Sequence, residues 1–272
     1  MDILIDTIKD TFVIIPILLI MYLCLEYFEH KNTSYNITHY LTSYGPIIGA
    51  LLGIIPQCGF GVLASMLFMN KRISLGTLIS VFIATSDEAV PILLTNPELY
   101  TSLLSIIVMK FILAVIVGYL VDFLFKSQYS DQTDISSNHC HDHSIVVEAF
   151  IRTFKIYTFI FIVNFSLSYA IEMIGSEKLS YILLDKSMVQ PIISAIFGFI
   201  PNCAASVILT QLHINQVLSM PSLLAGLITN AGLGILVLLQ NKIDIRTLVR
   251  ICTILLLSAL IVSLPLQWFF LH

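Results

Sequence analysis

The chain has 272 residues, 57% of them hydrophobic and only 11% charged, a composition far outside that of a soluble globular domain and expected of a protein dissolved in lipid. Its net charge of −4 excludes a nucleic-acid footprint, and basic residues in ones and twos do not suggest a polybasic lipid-binding segment. Five cysteines (Cys24, Cys58, Cys140, Cys203 and Cys252) are too scattered for a disulfide framework.

In chain order, the first apolar stretch, Phe12 to Tyr27, follows an acidic start with no basic head and no small-residue cleavage site, so it reads as a span and not as a signal peptide. A partly polar connector (29–44) leads to an apolar stretch broken by Pro-x-Cys (45–69). A second interrupted stretch (76–95) and a closing span (101–125) follow. After a polar segment, 126–149, the same order returns: span 150–174, connector 175–189, Pro-x-Cys stretch 190–212, interrupted stretch 221–240 and closing span 247–270. Apolar windows of about 20 residues are long enough to cross about 30 Å of hydrocarbon as helix. Membrane strands would be shorter and alternate in polarity. The expectation is an all-α polytopic membrane protein, with a first membrane repeat (1–125), a linker (126–149) and a second membrane repeat (150–272).

The two copies align without a gap at an offset of 145 residues. Gly53-Ile-Ile-Pro-Gln-Cys58 falls on Gly198-Phe-Ile-Pro-Asn-Cys203, Pro46 on Pro191, Asn70 on Asn215, Ser74 on Ser219 and Asn96 on Asn241. About a third of the positions from 46 to 96 are identical to their counterparts, well above chance even in so apolar a chain.

Basic residues discriminate between orientations, because cytoplasmic loops collect them. If every stretch crosses fully, the basic residues counted in the connecting segments divide six against six. If each Pro-x-Cys stretch is a re-entrant hairpin, Lys31, Lys71, Arg72, Lys126, Arg152, Lys155, Lys242, Arg246 and Arg250 gather on one side and only Lys9, Lys178 and Lys186 on the other. The bias favours hairpins, inverted halves, a cytoplasmic linker and, with half-helices counted separately, about ten membrane segments.

A proline inside a membrane helix frees backbone polar groups that must find partners in protein or water. Inverted repeats with broken helices in matching places are a recurrent construction of secondary transporters, with substrate bound near the midplane. Pro56 and Pro201 are the expected helix breaks. Gln57, Cys58, Asn202 and Cys203 are the expected walls of the site, offering amide groups and sulfur, the latter preferred by soft metals and trivalent arsenic. The plainer alternative is a pair of proline kinks with small residues easing helix packing. The second interruption, Ala84-Thr85-Ser86-Asp87-Glu88-Ala-Val-Pro91, puts two carboxylates inside an apolar segment. A carboxylate at that depth costs at least about 2.5 kcal/mol, so it normally faces a cavity and serves ions or protons. The alternative is a structural pair with a helix-borne lysine such as Lys110. In the second copy the same place reads Thr229-Asn230-Ala-Gly-Leu-Gly234, polar but uncharged, so one acidic wall should face one neutral wall. The linker holds His139, Cys140, His141 and His143, a set that can bind a transition metal but lacks the spacing of a structural zinc site. It reads as an accessory metal-collecting arm, the alternative being a solvated linker that happens to be rich in histidine.

Gly-Ile-Ile-Pro-Gln-Cys-Gly-Phe, Ala-Thr-Ser-Asp-Glu-Ala-Val-Pro and Ile-Pro-Asn-Cys-Ala-Ala-Ser-Val resemble the ten-segment heavy-metal exporter family of bacteria, whose members are described as arsenic efflux proteins or manganese transporters. The resemblance covers nearly the whole chain, including its division into halves and a linker with His and Cys. It implies export of a metal or metalloid from the cytoplasmic (inner) membrane of a prokaryote. The metal ion enters as substrate; no cofactor is required, and proton or ion exchange through Asp87 or Glu88 would drive transport. The chain has no phosphate-cradling Gly-x-x-x-x-Gly-Lys-Ser/Thr run. A manganese-like cation would use carboxylate, amide and backbone oxygens, whereas an arsenic species would use Cys58 and Cys203; both remain open at this level. Two other classes, a membrane-embedded metal-dependent enzyme and a passive ion channel, are less well matched. No His-Glu-x-x-His stands in a membrane segment, and polar residues concentrate at the breaks instead of forming a continuous stripe. The expected partners are the lipid bilayer and the transported metal or metalloid, and a homo-oligomer is compatible with the sequence.

Overall fold

The computed structural model describes residues 35–55, 58–86, 89–94, 99–125, 154, 158, 161–162, 187–201, 203–241 and 243–271. The elements among the described residues are all helices, with no strand among them. The first half contains α1 (Tyr35–Ile54), α2 (Cys58–Met69), α3 (Leu75–Ala84), α4 (Ala89–Leu94) and α5 (Tyr100–Phe125). The second contains α6 (Gln190–Gly198), α7 (Cys203–Ile214), α8 (Met220–Thr229), α9 (Leu233–Gln240) and α10 (Ile245–Leu271). The expected spans 12–28 and 150–174, residues 29–34 of the first connector and most of the second lie outside the described residues, apart from four positions in the latter span.

The 145-residue offset recurs in the structure's details. α2 and α7 begin and end at matching positions, as do α3 and α8. Ser74 caps α3 by accepting from the Thr77 amide at 3.1 Å, and Ser219 caps α8 by accepting from the Ser222 amide at 3.3 Å. Each cap satisfies an amide that the first helical turn leaves without a partner. The turns before them match as well: the chain leaves α2 through Lys71 and α7 through Gln216, both at positive φ (54° and 60°). The amides of Arg72 and Val217 then bond back to the carbonyls of Leu67 and Leu212, the 6→1 closure that ends a helix in a left-handed residue. In one place the structure departs from expectation. Helix α1 starts at Tyr35, well inside the stretch read as a connector, because residues 35–44 contain neither glycine nor proline to stop a helix entering the apolar segment.

Close approaches define direction. Along α1, Gly45 faces Thr77, Gly49 faces Thr77 and Val81, and Gly53 faces Val81 and Ala84. Both residue numbers rise together, so α1 and α3 run side by side in the same direction, and α2 has to bring the chain back between them. Along α5 the order is reversed: Asp122 meets Gly76, Ala114 meets Ser80 and Lys110 meets Thr85. The interrupted stretch α3–α4 is therefore antiparallel to α5.

Four stretches of the described residues are long and apolar enough to cross a membrane: Leu75–Leu94, Tyr100–Phe125, Met220–Gln240 and Ile245–Phe269. The 26 residues of α5 extend about 39 Å at about 1.5 Å per residue. The two broken stretches are almost wholly enclosed by protein, whereas α5 and α10 are largely exposed. On α5 the exposed residues Leu104, Val108, Ile112 and Ile116 recur every fourth position, the stripe expected of a helix with one face in lipid. α3 and α8 touch one another at the centre of the protein, and α2 packs on α9 as α7 packs on α4. Each half thus leans a Pro-x-Cys half-helix on the broken stretch of the other.

Candidate functional site

The two interruptions meet at a buried lysine. Helix α3 ends where the amide and the hydroxyl of Thr85 both bond to the Val81 carbonyl, at 3.0 and 2.7 Å. The helix resumes as α4 at Ala89. In α8 the last regular turn closes with the Asn230 amide on the Gly226 carbonyl (3.1 Å), and the Asn230 side chain accepts from the Gly232 amide (3.1 Å). Gly232 has φ 54° and ψ −139°, a conformation open in practice only to glycine, and α9 starts at the next residue.

Breaking a helix leaves the carbonyls of its last turn without amide partners. Lys110 of α5, only 1% exposed, answers this in both halves. Its ammonium donates to the Thr85 carbonyl, to Ser86 Oγ at 2.7 Å and to the Leu227 carbonyl of α8 at 2.9 Å. Inserting an ammonium at the centre of an apolar membrane helix costs about 2.5–3.5 kcal/mol on insertion scales. Here that cost is offset by charge-assisted bonds at two helix C-termini, whose dipoles favour a cation.

Of the expected site residues, Thr85 and Ser86 sit at the first break and Thr229 and Asn230 at the second, all buried. Lys110 bridges the two breaks directly. The Thr229 hydroxyl bonds to the Ala195 carbonyl of α6 at 2.7 Å, tying its break to the neighbouring helix. Helix α2 lies against the second break: Ser65 donates to the Gly234 carbonyl at 2.9 Å, and Gly61 faces Ala231 and Gly234. Cys58 and Cys203 open α2 and α7, and Pro201 is partly buried just before α7. The side chains of Cys58 and Cys203, and residues Pro56, Gln57, Asp87, Glu88, Asn202, His139, Cys140, His141 and His143, lie outside the described residues. Among the described residues no group of three or more His, Cys, Asp or Glu side chains comes together.

A second polar feature escaped the sequence reading. Asp122 at the far end of α5 accepts from the Ser74 hydroxyl (2.7 Å) and the Gly76 amide (2.8 Å), placing a carboxylate at the N-terminus of α3. In the other half Gln267 takes this position, 145 residues on, and accepts from the Ser219 hydroxyl at 2.6 Å. Gln190 adds its own bonds to the Ser219 amide and the Ser222 hydroxyl. Extending the offset to positions 122 and 267 would have exposed the pair, since Ser74 and Ser219 already align.

Long apolar helices exposed at the rim, two broken helices enclosed at the centre and a charged group joining the breaks define an integral membrane protein of transporter type. Residues 1–167 match the family described as "Putative, 10TM heavy-metal exporter", and the chain belongs to that family. No match was found among curated proteins or among solved structures.

Proposed function

We propose that the protein is a secondary transporter exporting a metal or metalloid, a manganese-like divalent cation or an arsenic species, through a midplane site between two inverted halves. The observation that carries the reading is the junction at Lys110, whose ammonium joins the C-terminal carbonyls of both interrupted helices across the interface of the halves. Such broken ends line the ion and substrate sites of transporters built from repeats. Gln57, Cys58, Asn202 and Cys203 would wall the pathway. Asp87 or Glu88, which directly follow the Ser86 held by Lys110, would exchange protons or ions.

Inversion draws support from the guanidinium of Arg250, near the start of α10, which stacks over the ring of Phe125 at the end of α5, 4.7 Å from its centroid. Under the repeat, Phe125 corresponds to position 270, at the opposite end of α10 and about 30 Å from Arg250 along the helix. The end of one closing span is therefore level with the start of the other, as oppositely oriented halves require. Lys71, Arg72, Arg246 and Arg250 then share the face that the positive-inside rule assigns to the cytoplasm, together with the 126–149 linker. The membrane is the cytoplasmic (inner) membrane of a prokaryote.

The test is elemental mass spectrometry on cells expressing the wild type or Asp87→Asn, loaded with manganese, zinc, iron, copper and arsenite. Depletion of one element by the wild type, abolished by the substitution, is the expected result. Equal content of every element with and without the protein would overturn the metal and metalloid reading.

A further inference from the structure

We propose that the oxygens around Lys110 form a binding site for a small monovalent cation, which the chain fills from within using its own ammonium group. Three observations carry this. The acceptors include two backbone carbonyls and a hydroxyl, from Thr85, Leu227 and Ser86, oxygens of the kind that suit hard cations. Two of them belong to the C-terminal ends of the half-helices α3 and α8, each equivalent to about half a negative charge. Both ends thus turn partial negative charge toward the same point, which favours a cation there. The lysine is also individually placed: 145 residues on, the position is Leu255, fully buried in apolar packing, so a single ammonium serves both halves. Thr85 and Ser86 are nearly inaccessible, and the four-carbon stem of the lysine reaches their oxygens from α5 without needing water to fill the gap.

The site is thus a cation site with a tethered occupant, and Lys110 positions the two broken ends against each other. The inference goes beyond the transport reading without depending on which metal moves. Its test reads stability, so either can fail while the other stands.

Truncating Lys110 to alanine removes three carbons and the ammonium nitrogen, the outline of propylammonium. Purified wild type and Lys110→Ala are melted in detergent with propylammonium, sodium, potassium, choline or neutral propanol added at matched concentration. The variant is expected to melt below the wild type and to recover most of the loss with propylammonium, part of it with sodium or potassium, and none with choline or propanol. The wild type should respond to none of them. Lys110→Met, which fills the volume without charge, is expected to melt low and to stay low in every salt, so the proposal remains testable even if the alanine variant does not accumulate. Recovery by propanol equal to that by propylammonium, no recovery by any cation, or a Lys110→Met variant as stable as the wild type would each overturn the proposal.

Discussion

Replacing Gly198 by alanine isolates the closest contact between the inner helices of the second half. A Cβ at Gly198 would run into the Gly226 carbonyl and the Thr229 hydroxyl of α8. The hydroxyl could turn aside, but a backbone carbonyl cannot, so α6 and α8 must separate. Overpacking of this kind costs about 1–3 kcal/mol. Separation also stretches the 2.7 Å bond from Thr229 to the Ala195 carbonyl, a type worth about 0.6 kcal/mol within a membrane protein. Alanine returns up to about 1 kcal/mol of helix propensity. The net loss is about 0.6–2.6 kcal/mol, which lowers Tm by about 1–10 °C in a chain of this size. Gly61→Ala is the internal control. Its Cβ would lie 3.6 Å from the Ala231 carbonyl and 3.8 Å from the Gly234 amide, ordinary contact distances, and Ser206 already carries a side chain at the matching place. That variant should melt at or slightly above the wild type. Thermal ramps of detergent-solubilised protein followed by size-exclusion chromatography measure both, and equal melting of the two variants would refute the packing argument.

Two further outcomes follow. Asp122→Asn keeps an acceptor for the α3 terminus, as Gln267 does for α8, and should stay within about 1 kcal/mol of the wild type, whereas Asp122→Leu, which leaves the Ser74 hydroxyl and the Gly76 amide short of an acceptor, should lose about 1–3 kcal/mol; denaturation of the two side by side separates them. A cysteine replacing Lys71 and one replacing Arg246 should react with an impermeant maleimide from the same side of the membrane and one replacing Gln216 from the other, so reaction of positions 71 and 216 from one side would refute inversion.

Much of this architecture could be read from residue order alone. Helical class, the interrupted stretches and the offset between the halves are encoded locally, in apolar run length and in the placing of proline, glycine and capping serine, and these govern backbone conformation within a few residues. Thr85, Ser86, Thr229 and Asn230 were legible as break residues for the same reason. Lys110 was legible as a candidate partner for Asp87 or Glu88, which lie outside the described residues, but not as a partner of the Leu227 carbonyl, a contact across 117 positions. Its symmetry mate is leucine, so no repeat could flag it. The early start of α1 was missed because the polar residues of 35–44 mask a helix that nothing interrupts.

The crossed packing of α2 on α9 and of α7 on α4 also bears on how the protein is made. The bond from Ser65 to the Gly234 carbonyl spans 169 positions. When the ribosome has delivered the first half, the apolar and polar faces of α2 still lack the surface they will finally cover. The early helices must therefore wait in the bilayer for the last ones to be synthesised. Biogenesis of this chain closes only at its end, and a truncated product would carry an arm whose partner never arrives.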